Sequence, residues 1–193
     1  MGKVVKTNAM RQLDAAKIPY EVLTYEVDEN DLSGTHIAEQ IGLPLPMVFK
    51  TLVAKGDKTG HLVFCIPVDR EIDLKAAAAL TGNKKIEMIH VKDLLATTGY
   101  IRGGCSPIGM KKVFRTFIHN TADSFDAIFC SGGKIGFQIE LSTEITDDYL
   151  EFWDWLKKET ESVAPEVIYE REIHVPEHPD FEFRDMRIKV TDE

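Results

Sequence analysis

A chain of 193 residues, 44% hydrophobic and 28% charged, can bury a core without disulfides or metals, and no apolar run in it approaches the length of a membrane span. Three cysteines without C-x-x-C spacing argue against a zinc ribbon or a disulfide scaffold, and the start MGKVVK has no apolar signal core, so a reducing compartment, the cytoplasm, is expected. The net charge of −9 argues against a general nucleic-acid coat; yet residues 1–138 hold 17 Lys and Arg against 15 Asp and Glu, and residues 139–193 hold 6 against 17, so the acid belongs to the C-terminal part.

Along the chain, TNAMRQLDAAKI (7–18) sets Met10 and Leu13 at helical spacing before Pro19 and predicts a helix. YEVLTYEV (20–27) has strand character, and Ser33 is placed to cap SGTHIAEQIG, which Gly42 closes. MVFKTLVAKGDKTGHLVFCIPV (47–68) reads as two strands around the turn GDKTG. DLKAAAALTG (73–82) predicts a short helix, KKIEMI a strand, VKDLLATTG a helix ending at Gly99, VFRTFIH a strand, and AIFCSGGKIGFQIEL (127–141) a hairpin turning at SGGK. TDDYLEFWDWLKK (146–158) stripes Tyr149, Leu150, Trp153 and Leu156 on one helical face, and VIYEREIHV and FEFRDMRIKV alternate like the strands of a terminal hairpin. Strands and helices mix without strict βαβ order, which predicts an α+β fold with a mixed, mostly antiparallel sheet.

Most chemical signatures are missing. There is no Walker loop, dinucleotide fingerprint or G-x-S-x-G elbow, and His174 and His178 flank Pro176, which disfavours the helix that would point both rings at one metal. No spacing joins Cys105 to His90 or His119 as a Cys/His pair would require. Three features remain: Lys50 among apolar neighbours in VFKTL, and the glycine segments GGCSPIG and SGGKIG. A lysine so placed either meets an anion or snorkels to water. Glycine segments of this kind either turn the chain or aim backbone amides at an anion, and Arg102, Lys111, Lys112, Arg115 and Lys134 stand near them to meet phosphates.

TYEVD (24–28), VFKTL (48–52), DLKAAA (73–78), TGYIRGGCSPIGMKK (98–112) and SGGKIGFQIEL (131–141) occur in the order in which the YbaK/EbsC family carries them, and the chain resembles that family over about residues 5–160. The resemblance implies the editing-domain fold of bacterial prolyl-tRNA synthetase, a mixed, mostly antiparallel barrel-like sheet with flanking helices. Residues 1–160 would form it. Residues 161–193 would be an acidic extension, a hairpin packed on the domain or on a dimer partner.

The implied activity is trans-editing: an aminoacyl-tRNA deacylase that clears cysteine, or another small amino acid, from tRNA(Pro), with attack by the substrate thiol. By motif, Lys50 is the functional lysine that holds the 3′-terminal nucleotide. Tyr25, Gly103, Gly104, Ser106, Pro107, Ser131, Gly132 and Gln138 line the aminoacyl pocket. One relative carries an acid where this chain has Gln138. Neither cofactor nor metal is implied; the implied partners are the 3′ acceptor end of the tRNA and prolyl-tRNA synthetase, and no membrane. On this reading Cys105 packs the loop and is not a nucleophile. The rival from another class is a binding module that docks tRNA, a synthetase or a regulatory partner, for which the acidic extension speaks.

Overall fold

The computed structural model describes residues 6–28, 30–143 and 183–185. Helix α1 (Asn8–Ala15) starts where the Thr7 hydroxyl accepts the Met10 N–H, and it buries Ala9, Met10 and Leu13 on one stripe. Strand β1 (Glu21–Thr24) stops just before Tyr25. Helix α2 (Gly34–Ile41) is capped by Ser33 at one end and by Gly42, at φ 70°, at the other.

Strands β2 (Phe49–Gly56) and β3 (Gly60–Pro67) form the expected hairpin, in register from Phe49 opposite Pro67 to Gly56 opposite Gly60. Helix α3 (Leu74–Leu80) follows, begun by Asp73, whose carboxylate accepts the Lys75 and Ala76 N–H groups. Strand β4 (Ile86–Met88) pairs with the far end of β2, Ala54–Gly56. Helix α4 (Val91–Thr98) leads into the glycine segment, after which β5 (Arg115–His119) lies parallel to β3. Strands β6 (Ala127–Ser131) and β7 (Phe137–Ser142) form the second hairpin, and β1 pairs with β7.

The chain is thus α+β, with a mixed five-stranded sheet in the order β4-β2-β3-β5-β8, where β8 is Phe183–Asp185, and an antiparallel three-stranded sheet in the order β1-β7-β6. The barrel-like sheet expected from the sequence is not formed by the described residues, because neither sheet returns to its first strand. The two sheets meet at one parallel bridge, Val48 to Phe129. Around that seam Ala38, Val48, Val68 and Phe129 pack together. The five-stranded sheet has its own core on the α3 side, where Phe64 stacks on Phe117 at 5.2 Å, and α1 covers the three-stranded sheet through Met10, Leu13, Cys130 and Ile139. Burying side chains of this size contributes about 1.5–3 kcal/mol each.

Strand β8 (Phe183–Asp185) pairs antiparallel with β5 of the same chain. The rest of the terminal hairpin and the helix expected at 146–158 lie outside the described residues. No helix among the described residues is long and apolar enough to cross a membrane.

Candidate functional site

The hairpin β6–β7 ends where Ser131 opposes Gln138. Its turn is closed by the Gly132 N–H on the Phe137 carbonyl (3.0 Å), the Phe137 N–H on the Lys134 carbonyl (3.2 Å) and the Gly133 N–H on the Ser131 hydroxyl (3.3 Å). Tyr25 continues the neighbouring edge by donating its N–H to the Gly136 carbonyl at 3.2 Å. Because Leu23 opposes Gln138 and side chains alternate along a strand, Tyr25, Gln138 and Ser131 share one side of the three-stranded sheet.

The other glycine segment packs on this turn. A Cβ on Gly104 would lie 2.9 Å from the Ile135 nitrogen and 3.1 Å from the Lys134 carbonyl carbon, so backbone meets backbone and only glycine fits. Gly103, at φ 80°, sits against Leu32 and Ile135. The loop is braced behind: Ser106 is fully buried with its hydroxyl accepting the Ile108 N–H, the Tyr100 hydroxyl donates to the Ile108 carbonyl (2.7 Å), and the Gly109 N–H donates to Gln12 Oε1 (2.8 Å). Pro107, between Ser106 and Ile108, is half-buried. The Gly104 N–H is itself engaged by the Ile101 carbonyl at 3.0 Å, which leaves the amides of Gly103, Cys105 and Ser106 as the loop's candidate donors to an oxyanion.

Lys50 reaches the same region from the other sheet. It stands two residues beyond Val48 on β2, and Ser131 stands two residues beyond Phe129 on β6, so both leave the seam from its single bridge. Its Nζ donates to the Val68 carbonyl (3.3 Å) and to Glu71 Oε1 (2.9 Å). The Lys50 side chain is 24% exposed and that of Glu71 90%, so the ammonium is anchored while its counter-ion remains in water and can be exchanged for another anion. The lysine is therefore tethered rather than snorkelling freely.

Two polar atoms of this region have no hydrogen-bond partner among the described residues although they are buried: the Tyr25 hydroxyl and Gln138 Oε1. Gln138 is only 5% exposed. Buried polar groups are nearly always satisfied, and an orphan costs roughly 1–3 kcal/mol, so a pair of orphans beside a tethered lysine suits a site completed by a ligand.

The thiols are arranged for packing. Cys105 is 8% exposed, and burial pushes its pKa up to about 11 although the Thr98 hydroxyl works in the opposite direction. Burial likewise raises Cys130 to about 12 and Cys65 further, so all three are neutral thiols at pH 7. His119 has its Nδ1 within 2.9 Å of the Thr121 hydroxyl, and exposed His90 lines a separate cleft of about 630 Å³ between β2, β4 and α4. Among the described residues no hydrogen bond joins a cysteine to a histidine. None of the site residues implied by the resemblance lines that cleft, and among the described residues no group of three or more His, Cys, Asp or Glu could hold a metal.

Lys50, Tyr25, Gly103, Gly104, Ser131, Gly132 and Gln138 are thus gathered around one turn and one seam, while Ser106 and Pro107 belong to the brace behind the loop. Glu71 and Leu32 were missed. Glu71 lies in an ordinary charged loop after β3, and nothing in its spacing points to Lys50.

The family model of the aminoacyl-tRNA editing domain matches residues 33–148. A protein of Enterococcus faecalis named as a candidate Cys-tRNA(Pro)/Cys-tRNA(Cys) deacylase, EbsC, is 52% identical over 139 residues, 72% of this chain and 85% of that one. A proline–tRNA ligase of Thermosipho africanus is 30% identical over 77 residues, covering 40% of this chain and 14% of the ligase. A crystal structure titled as a candidate trans-editing enzyme for prolyl tRNA synthetase superposes with a TM-score of 0.63 at 18% identity, over 77% of this chain and 92% of that one.

Proposed function

The chain belongs to the aminoacyl-tRNA editing domain family, and from that premise we propose that it is a trans-acting deacylase that removes mischarged cysteine from tRNA(Pro) in the cytoplasm. The observation that carries the reading is the pair of orphaned buried atoms, Tyr25 Oη and Gln138 Oε1, set beside a lysine whose counter-ion is exchangeable. An aminoacyl ester supplies what each lacks: a terminal nucleotide with phosphate for Lys50, and an α-ammonium and hydrogen-bonding side chain for the orphans. A phosphate about 4 Å from an ammonium is worth roughly 4 kcal/mol at an effective dielectric of 20, before desolvation.

The chemistry needs no protein nucleophile. The ester is already reactive, so positioning and oxyanion donors suffice, and the free amides of the Gly103–Ser106 loop are such donors. The substrate's own thiol attacks its carbonyl carbon and forms a cyclic thioester. The ester C–O bond breaks, and the proton released by the thiol ends on the ribose oxygen as the tRNA leaves. Selection for cysteine then follows from reactivity, because shape alone discriminates one methylene by only about 10- to 200-fold. The neutral, buried Cys105 fits this scheme as packing. Selection of tRNA(Pro) is shared, in this reading, with prolyl-tRNA synthetase, whose relatives carry a similar segment.

Release of labelled amino acid from Cys-tRNA(Pro), Ala-tRNA(Pro) and Pro-tRNA(Pro) by wild type and Lys50→Ala tests the proposal. Rapid loss of cysteine alone, slowed about 10³-fold in the variant, is the expected result. Release of none of the three with synthetase present would refute it.

A further inference from the structure

The chain is acidic overall, yet two stretches that meet at the site contain no acid at all. Residues 94–122 hold Arg102, Lys111, Lys112 and Arg115 and no Asp or Glu; residues 127–139 hold Lys134 and none. The fold brings them together. Lys111 packs on Gly99, its Cγ 3.0 Å from where a Cβ would stand, and its N–H binds the Thr98 carbonyl. The turn closed by the Gly104 N–H on the Ile101 carbonyl presents Arg102, and Gly104 in turn touches the backbone of Lys134 and Ile135. Lys111–Lys112, Arg102 and Lys134 therefore follow one another across contacting segments, all of them exposed, with exposed apolar Ile101 and Val113 beside them.

Not every cation here is available. Arg115 lies over the Phe117 ring at 4.6 Å, and Lys111 donates to the Leu95 carbonyl, where it complements the C-terminal end of α4. Lys134 sits 5.4 Å from the Phe137 ring, which steadies the charge without neutralising it. Neither Arg102 nor Lys112 has a partner among the described residues. Asp31, the chain neighbour of the Leu32 that packs on Gly103, accepts the Ser33 N–H and stays ionised, and it is the acid nearest in sequence to this contact.

From this rim we infer that Arg102, Lys112 and Lys134 form a polyanion-binding surface that receives RNA backbone phosphates beyond the terminal nucleotide. The inference rests on the deacylase reading for the identity of the RNA. It goes further by giving the protein its own sequence-independent grip on the tRNA, separate from the Lys50 pocket. Backbone phosphates suit such a surface because they need only exposed cations with apolar ground between them.

Counter-ion release gives the test. Each phosphate neutralised adds about 0.7–0.9 to the slope of log affinity against log salt, so three cations contribute about 2–3, a loss of roughly 20- to 40-fold between about 50 and 200 mM KCl. Binding of uncharged tRNA(Pro) to the full chain is measured by fluorescence anisotropy across that range, with release of cysteine from Cys-tRNA(Pro) measured in parallel. In Arg102→Gln/Lys112→Gln/Lys134→Gln the slope should fall by about 2, and in Arg102→Lys/Lys112→Arg/Lys134→Arg it should stay at the wild-type value. An unchanged slope in the glutamine variant, as a surface for an acidic protein segment would give, overturns the inference, and so does absence of tRNA binding by wild type. A slope that falls while no cysteine is released leaves the surface standing and refutes the deacylase reading alone.

Discussion

Two buried carboxamides in this protein have opposite fates. Asn83, 7% exposed, accepts the Lys58 and Thr59 N–H groups at 2.9 and 3.1 Å and donates to the Thr59 and Thr81 hydroxyls at 2.8 and 2.7 Å, so it locks the β2–β3 turn. Gln138, 5% exposed, has an oxygen with no partner among the described residues, as does the Tyr25 hydroxyl. One region spends its polar groups on the fold. The other holds them in reserve, which is costly unless something else completes them.

The contrast can be broken most severely at Gly104. Gly104→Ala drives a Cβ into the Ile135 and Lys134 backbone and parts the two glycine segments, and displacement of about 1 Å costs on the order of 10²-fold in rate. Deacylation under single-turnover conditions should fall by that factor while a thermal melt shows the domain still folded. Asn83→Ala should do the reverse, lowering stability by about 2 kcal/mol in urea titration with kcat/KM of the folded fraction unchanged.

Gln138→Met sharpens the comparison, since it removes an orphan and keeps the volume. Stability should rise by about 1 kcal/mol, and KM for Cys-tRNA(Pro) should increase about tenfold. A loss of stability would mean that Gln138 belongs with Asn83. The smallest effect is expected from Cys105→Ala, whose deacylation should stay within a few-fold of wild type. Its pH signature is separate: with Cys105 raised to about 11 and Cys130 to about 12, the folded state holds thiol protons that the unfolded chain gives up near 9. The stability from these groups is complete below pH 9 and lost as pH rises toward 11 and 12. Urea midpoints at pH 8 and about 10.5 check that sign.

Much of this was legible in the residues. Ser33 and Gly42 bound α2 as caps, the GDKTG and SGGK turns set both hairpins, and apolar spacing placed Met10 and Leu13 in the core. The arrangement of the strands was not, because local periodicity carries no information on whether a sheet closes or on the parallel pairing of β5 with β3. At the site, the resemblance supplied the positions and the structure supplied their condition: which amide is already engaged, which carboxylate holds Lys50, and which polar atoms lack partners.

The burial of Cys65, Cys105 and Cys130 has one more consequence. A catalyst that handles thiol-bearing acyl esters is exposed to a side reaction in which its own sulfur attacks the acyl carbon, the ester C–O bond breaks and the tRNA hydroxyl leaves. That transfer requires a protein thiolate within reach. Cys65, Cys105 and Cys130 are all buried with raised pKa values, so in a deacylase of the kind proposed the protein offers no thiolate of its own to compete with the one that arrives on the substrate.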